Sequence, residues 1–185
     1  TKAEKDQDHI PVLLFSNPLL PDRATAIFSQ NVKDLVSQLQ ENVKLLERSG
    51  SDCIVMPCNT VHYFSADISK VLNIPFINMI TITAQFIAKN FSACKKVGIL
   101  GTTATIKYKI YDEILAQYGI QTMVPNDQDQ EQVMTIIEAV KAGDTSLQLK
   151  TKLTKLIDQL IHNGADRVIL ACTELPLVVN SEKTN

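Results

Sequence analysis

The chain has 185 residues, enough for one large domain or two small ones. Its composition is globular, with 45% apolar residues, 21% charged residues and a net charge of −2 at pH 7. This charge gives no reason to expect nucleic acid or a membrane surface as a partner, and no apolar run approaches the ~20 residues of a membrane span. No signal peptide is recognisable, so a cytoplasmic location is expected.

Strand-like and helix-like segments alternate along the chain. Short apolar runs predict strands at Pro11–Ser16, Cys53–Met56, Pro75–Met79, Lys96–Leu100, Gln121–Val124 and Arg167–Leu170. Apolar residues at helical spacing predict helices at about Asn31–Ser49, around Phe64–Leu72, after Leu100 to about Tyr118, at about Asp129–Ala142 and at about Thr145–Asn163. Helix, glycine and strand follow one another at Gly50, Gly119 and Gly164. The alternation predicts parallel sheets covered by helices.

The pattern restarts after Lys95, which indicates two similar halves. We therefore expect an α/β fold made of two parallel-sheet domains, related by a pseudo-two-fold axis, with the active site in the cleft between them. The predicted domains are residues 1–84, completed by 176–185, and residues 85–175.

Two short segments look like versions of each other. Residues 54–60 read Ile-Val-Met-Pro-Cys-Asn-Thr, and residues 168–174 read Val-Ile-Leu-Ala-Cys-Thr-Glu. In each, an apolar run ends and a cysteine follows, so Cys58 and Cys172 are predicted at the carboxyl ends of strands, where open α/β folds bind ligands. Two thiols on opposite sides of one ligand form an acid/base pair. Such a pair can remove a proton from one face of a carbon and return it to the other.

The neighbours of these cysteines also suit an anionic ligand. Loop amides at a helix N-terminus bind carboxylates and favour a thiolate over a thiol. The alternative is that each cysteine is a buried structural thiol beside a helix cap. No cysteine forms a C-x-x-C pair and no histidine cluster lies at zinc spacing, so no metal is expected. Cys53 and Cys94 lie outside the two motifs and are interpreted as non-catalytic.

The chain resembles the aspartate/glutamate racemase superfamily, and most closely its aspartate racemase branch. The resemblance rests on Met-Pro-Cys-Asn-Thr-Val-His-Tyr-Phe at 56–64 and Cys-Thr-Glu-Leu-Pro-Leu-Val at 172–178, with further agreement at 6–12, 17–23 and 96–102. It covers nearly the whole chain. It implies a racemase for an acidic amino acid, foremost aspartate, that uses no pyridoxal phosphate or other cofactor and forms a homodimer.

The resemblance also implies roles for individual residues. Cys58 and Cys172 would be the catalytic pair, one as the thiolate that takes the α-proton and the other as the thiol that protonates the opposite face. Arg23 and Lys141 would bind the side-chain carboxylate of the substrate. The other substrate-binding residues implied are Asn17, Asn59, Thr60, Thr102, Thr173 and Glu174.

Several of these residues have a second interpretation from the sequence alone. Arg23 also suits a loop salt bridge to Asp22 or Glu4, and Lys141 a solvated charge in the last turn of a helix. Glu174 either bonds its loop and tunes the thiol or is an ordinary first-turn carboxylate. His62, four residues after Cys58, is interpreted as a structural histidine.

One feature departs from the family pattern. Its members usually begin with a strand and a Gly-Gly-Met type loop, and this sequence starts after that region. We therefore expect either a longer parent protein or a truncated amino-acid-binding form without activity. Two further alternatives are a broad-specificity amino-acid racemase of the same superfamily and a thiol-redox protein with a Cys58–Cys172 disulfide.

Overall fold

The computed structural model of the protein describes residues 3–179, which form two parallel sheets surrounded by helices. In the first sheet, β1 (Ile54–Val55) pairs with β2 (Phe76–Ile77). In the second, β3 (Lys96–Gly101) lies between β4 (Gln121–Met123) and β5 (Arg167–Ala171). All three pairings are parallel, so the predicted α/β class with two parallel sheets is confirmed.

Most predicted helices are present. The α-helices are α1 (Arg23–Phe28), α2 (Lys33–Arg48), α3 (Ser65–Ser69), α4 (Met79–Asn90), α5 (Thr103–Lys107), α6 (Asp112–Ala116), α7 (Asp127–Lys141) and α8 (Leu147–His162). Short 3-10 helices occupy Asp6–Asp8, Thr60–Phe64 and Leu175–Val178. The three longest amphipathic predictions, for α2, α7 and α8, are confirmed to within two residues at each end.

The single helix predicted up to about Tyr118 is wrong, because two helices replace it. α5 ends at Lys107, and Lys109 has a φ of 51°, a left-handed conformation that an α-helix cannot continue through. The break lets Tyr111 enter the core, where it is 2% exposed and its hydroxyl reaches Asn59.

The predicted strand Pro11–Ser16 is also wrong. Within residues 3–179, no strand pairs with this segment, and Val12 and Leu14 are 77% and 86% exposed. A strand needs a neighbour for its ladder of backbone hydrogen bonds, and its apolar pattern alone does not supply one. Residues 13–15 instead line an apolar groove of about 280 Å³ together with Val55 of β1.

Helices cover both faces of the second sheet. Leu100 of β3 joins the core formed with α7 and α8, whereas Val97 and Ile99 join the core formed with α4 and α6. The sheet is therefore buried on both sides, as parallel sheets usually are. α4, which includes residue 84, packs on this sheet, and so does the 3-10 helix at Leu175–Val178. Residues 180–185 lie outside the described residues, and the predicted division into domains stays a prediction.

The first sheet has its own core. One face of α2 contributes Leu35, Leu39 and Val43, which pack with Ile54 of β1 and Phe64. The spacing of these residues on α2 follows the helical period on which the sequence prediction rested. This core holds the strand that leads to Cys58.

β3 and β5 approach each other unusually closely where they end. A Cβ atom on Gly101 would lie 2.8 Å from the carbonyl oxygen of Ala171, which is closer than real Cβ atoms come. Glycine is therefore required at this position, directly before Thr102 and opposite the residue before Cys172.

We expect Gly101→Ala to lower the free energy of unfolding by about 1–3 kcal/mol, because the added methyl meets rigid backbone. Gly98→Ala in the same strand is the matched control. Its Cβ would meet side-chain carbons of Leu160 and Val168 at 3.0–3.2 Å, which can shift, so the loss should be smaller. Urea unfolding followed by circular dichroism measures both. Equal stability of Gly101→Ala and the unaltered protein would contradict this account.

Candidate active site

Both cysteine loops border one cleft of about 530 Å³, a size typical of sites for small molecules. Nine of the ten residues predicted for the site line this cleft. They are Arg23, Cys58, Asn59, Thr60, Thr102, Lys141, Cys172, Thr173 and Glu174. The geometry thus brings together residues that are separated by up to 151 positions, from 23 to 174 in the chain.

Asn17 is the exception. It lines the neighbouring apolar groove rather than the cleft. Its side-chain oxygen accepts a hydrogen bond from the backbone N–H of Leu19 at 3.0 Å, and its amide nitrogen donates to Asn42 at 3.4 Å. The side chain is used to close its own turn, which is a common role of asparagine in loops.

The loop that carries Cys58 is fixed by a tight turn and by a histidine. The backbone N–H of Cys58 donates to the carbonyl of Met56 at 2.8 Å, and Pro57 lies at the centre of this turn with its φ restricted by the ring. His62 Nε2 accepts a hydrogen bond from the N–H of Met79 at 3.1 Å. Its Nδ1 therefore carries the proton and donates to the carbonyl of Cys58 at 2.8 Å. The predicted structural role of His62 agrees with these contacts.

The loop that carries Cys172 is organised by Glu174. The Cys172 thiol donates to Glu174 Oε2 at 2.9 Å, and the Thr173 hydroxyl donates to the same oxygen at 3.0 Å. Burial, the hydrogen bond to Glu174 and the charge of that carboxylate together raise the pKa of Cys172 to about 12. Burial alone would raise the pKa of Glu174, but the two donated hydrogen bonds and nearby Lys141 lower it. Both shifts place the proton on the sulfur.

Asn59 is held by a residue from the other half of the chain. The hydroxyl of Tyr111 donates to Asn59 Oδ1 at 2.5 Å, and both residues are buried. Burial raises the pKa of Tyr111, so the phenol stays protonated and remains a donor. Because the oxygen of Asn59 is occupied in this way, the amide nitrogen is the end left for the cleft.

Three threonine hydroxyls form a buried triangle beside the cleft. Thr60 lies 3.0 Å from Thr102 and 3.2 Å from Thr105, and the latter two are 3.0 Å apart. Thr102 is also the N-cap of α5, since its hydroxyl accepts the N–H of Thr105 at 3.2 Å. The triangle links the loop after β1 to the loop after β3.

Two cations, Arg23 and Lys141, and the carboxylate of Asp22 line the cleft. Within residues 3–179, the one ion pair with N···O below 4 Å joins Lys70 and Asp67, so Arg23 does not form the alternative salt bridge to Asp22 or Glu4. Partial burial alone would raise the pKa of Asp22, but hydrogen bonds from Thr25 and the charges of Arg23 and Lys141 hold it below its usual value. Arg23 and Lys141 are thus available to an anionic ligand.

Sequence reasoning did not find every residue of the site. Thr103, Met134, Glu138 and Phe28 also line the cleft. Thr105 carried a weak signal, because a hydroxyl three residues after an N-cap lies on the same helix face. Tyr111 carried none, since nothing local indicates that it reaches Asn59.

Residues 3–179 contain neither a cluster of metal-ligating side chains nor a helix that could span a membrane. Among residues 3–179, no group of three or more histidine, cysteine, aspartate or glutamate side chains is arranged to hold a metal ion. In the same part of the chain, none of the helices is both long and apolar enough to cross a membrane.

Comparison with known proteins assigns the chain to a family. The model of the Asp/Glu/Hydantoin racemase family matches residues 1–184. An aspartate racemase from Picrophilus torridus has 35% identity and a TM-score of 0.83, over 98% of this chain and 74% of its own. An aspartate racemase homologue from Pyrococcus horikoshii has 28% identity and a TM-score of 0.76, over 97% and 77%. The broad specificity amino-acid racemase RacX of Bacillus subtilis is 28% identical over 96% of this chain and 75% of its own length.

Fold and relatives together define an isomerase that racemises amino acids. The chain belongs to the Asp/Glu/Hydantoin racemase family.

The pKa of His62 predicts a pH-dependent stability. Burial lowers this pKa from 6.5, so below that pH the unfolded chain binds a proton that the folded protein does not. The contribution of neutral His62 to the free energy of unfolding is fully present above about pH 6.5. It falls as the pH decreases towards the lower pKa of His62 in the folded state. We expect His62→Phe to weaken this acid dependence and to lose about 1–3 kcal/mol at pH 8, because two backbone groups lose their partner.

Urea unfolding at pH 8 and pH 5 tests this expectation. His162→Asn, at an exposed position near the end of α8, is the control and should keep the acid dependence of the unaltered protein. An undiminished acid dependence in His62→Phe would show that this histidine is not the group responsible.

Proposed function

We propose that the protein racemises an acidic amino acid, with aspartate as its principal substrate, by two-base proton transfer between Cys58 and Cys172. The observation that supports this proposal is that both thiols line one cleft together with two cations and a set of hydrogen-bond donors. The aspartate racemase from Picrophilus torridus, at 35% identity, supports the substrate.

In this mechanism one cysteine is a thiolate and the other a thiol. The thiolate takes the proton from the α-carbon, and the thiol protonates the opposite face, which inverts the centre. The roles exchange for the other enantiomer. Since no electron-sink cofactor is proposed, the negative charge that develops on the α-carboxylate must be stabilised by donors of the protein. We assign this task to the amide nitrogen of Asn59, the hydroxyls of Thr60, Thr102 and Thr173, and the loop amides.

The substrate side chain is assigned to Arg23 and Lys141. Neither forms an ion pair with a carboxylate within residues 3–179, and both line the cleft. A guanidinium binds both oxygens of a carboxylate, whereas an ammonium contributes a point charge. Together they would distinguish aspartate from uncharged amino acids.

A broad-specificity racemase is the second candidate function. Three carboxylates, of Asp22, Glu138 and Glu174, line the cleft beside the two cations. Their negative charges repel an acidic side chain and so reduce the preference for an acidic substrate that the two cations create. The match to RacX over 96% of this chain favours the same candidate.

We expect Cys58→Ala and Cys172→Ala each to lower racemisation by about 10³-fold or more, because each removes one of the two proton-transfer groups. Cys53→Ala is the matched control, since Cys53 is exposed and does not line the cleft. Circular dichroism follows the loss of optical activity, and incorporation of solvent deuterium at the α-carbon follows proton removal, starting from L- and from D-aspartate.

The same assay separates the remaining alternatives. Full turnover in both single variants would contradict the two-base mechanism. Binding of aspartate without α-proton exchange would identify an amino-acid-binding form. A thiol-redox protein predicts that Cys58 and Cys172 can form a disulfide, which mass spectrometry after mild oxidation would detect.

A separate prediction concerns the specificity that Arg23 and Lys141 give to the cleft. We expect Arg23→Met and Lys141→Met each to raise KM for aspartate about tenfold or more, which corresponds to about 1.4 kcal/mol of binding. Turnover of asparagine and alanine should change much less, because they carry no side-chain charge. Lys155→Met, which removes an exposed charge on α8, is the control. Equal effects on aspartate and asparagine would favour the broad-specificity enzyme.

The homodimer and the cytoplasmic location stay predictions.

A further inference from the structure

The two cysteine loops are alike in sequence but differ in one contact. Cys172 lies 2.9 Å from a carboxylate oxygen of Glu174, on the residue two positions later. The matching position after Cys58 is Thr60, whose hydroxyl is bonded to Thr102 and Thr105 instead. Within residues 3–179, the hydrogen bonds found at Cys58 involve its backbone, with Met56 and His62, and no carboxylate.

The carboxylate is fixed in its place. Oε2 of Glu174 accepts a hydrogen bond from the Cys172 thiol at 2.9 Å and another from the Thr173 hydroxyl at 3.0 Å. The N–H of Leu175 donates to the carbonyl of Cys172 at 3.2 Å and closes the same turn. Glu174 is thus oriented by its own loop towards the sulfur.

Other charged groups line the same cleft as this pair. α7 contributes Lys141 and Glu138, and the start of α1 contributes Asp22 and Arg23. Lys141 favours the thiolate of Cys172, but its effect is smaller than that of burial and of Glu174, which favour the thiol. The arrangement of charges therefore keeps the proton on Cys172.

We propose that Glu174 is a positioning residue that keeps Cys172 in its thiol form, so that the resting enzyme uses Cys58 as the base and Cys172 as the acid. This inference rests on the proposed two-base function and replaces the substrate-binding role that the sequence suggested for Glu174. It makes the two cysteines chemically unequal in the absence of substrate.

The Cys58 thiolate takes the α-proton and becomes a thiol, while the Cys172 thiol gives its proton to the opposite face and becomes a thiolate. One negative charge has then moved from Cys58 to Cys172, beside the Glu174 carboxylate. Repulsion between the two anions favours recovery of a proton from water by Cys172 and loss of one by Cys58, which restores the resting form.

Alkylation of the cysteines tests the inference without requiring catalysis. Only a thiolate reacts appreciably with iodoacetamide, so the pH at which each cysteine becomes reactive reports its ionisation. In the full chain, mass spectrometry after short exposures at pH 6–11 gives the alkylation rate of Cys172 and of Cys58 separately. The rate relative to that of a fully ionised thiol gives the thiolate fraction at each pH, and the midpoint follows from that fraction even where it lies above this range. We expect Glu174→Gln to lower the midpoint of Cys172 by about one pH unit or more, a tenfold rise in thiolate below it, and to leave that of Cys58 unchanged.

The matched control is Glu138→Gln, which removes a carboxylate from the same cleft without touching the sulfur. It should shift the midpoint of Cys172 much less than Glu174→Gln does. Unfolding of the unaltered protein in urea provides a second measurement, in which the midpoint of Cys172 should fall to that of an ordinary thiol. An unchanged midpoint in folded Glu174→Gln, or an equal shift in Glu138→Gln, would overturn the inference.

The kinetics of the same variant give a readout that a purely structural role would not move. The falling limb of the pH–rate profile reports loss of the proton from the acid, and in Glu174→Gln it should move to lower pH. If the alkylation shift appears but no form of the protein racemises an amino acid, the proposed function fails and the assignment of Glu174 stands. If racemisation is normal and the midpoint of Cys172 does not move, the positioning role of Glu174 is wrong and the proposed function stands.

Discussion

The geometry of the cleft depends on the buried triangle of threonine hydroxyls. Thr60 follows β1 of the first sheet, whereas Thr102 and Thr105 follow β3, the central strand of the second sheet. Each hydroxyl both donates and accepts, so three of them satisfy one another in a space from which water is largely excluded. The bond from Tyr111, which lies directly before α6, to Asn59 is a second polar connection between the two halves of the chain. These contacts set the position of the Cys58 loop relative to the second sheet, and an apolar contact would not define it as narrowly.

The position of Cys172 is set by a different constraint, the close backbone approach at Gly101. Because β3 and β5 meet there without a side chain between them, Thr102 and Cys172 emerge next to each other. The helices on both faces of the sheet hold the strands in this register. Polar contacts therefore position one side of the cleft, and backbone packing positions the other.

The parts of this arrangement that depend on neighbouring residues in the sequence could be predicted. The long amphipathic helices and the central strands follow from hydrophobic periodicity, and the resemblance to the family supplied the residues that line the cleft. The segment Pro11–Ser16 shows the limit of periodicity, because an apolar run describes a strand without specifying its partner. Asn17 and Tyr111 show a second limit. Whether Asn17 faces the cleft depends on its bond to Leu19, and the contact of Tyr111 with Asn59 spans 52 residues, so neither can be deduced from neighbouring residues.

The similarity of the two cysteine loops is a similarity of strand ends rather than of chemistry. Pro57 and His62 fix the first loop through its backbone and leave the sulfur of Cys58 without a carboxylate partner in the described chain. Glu174 fixes the second loop through the sulfur itself. A two-base reaction needs one thiolate and one thiol at the start, and two identical loops would give no preference between the two possible arrangements. The difference between the loops supplies that preference, so the departure from symmetry is as relevant to the proposed chemistry as the symmetry itself.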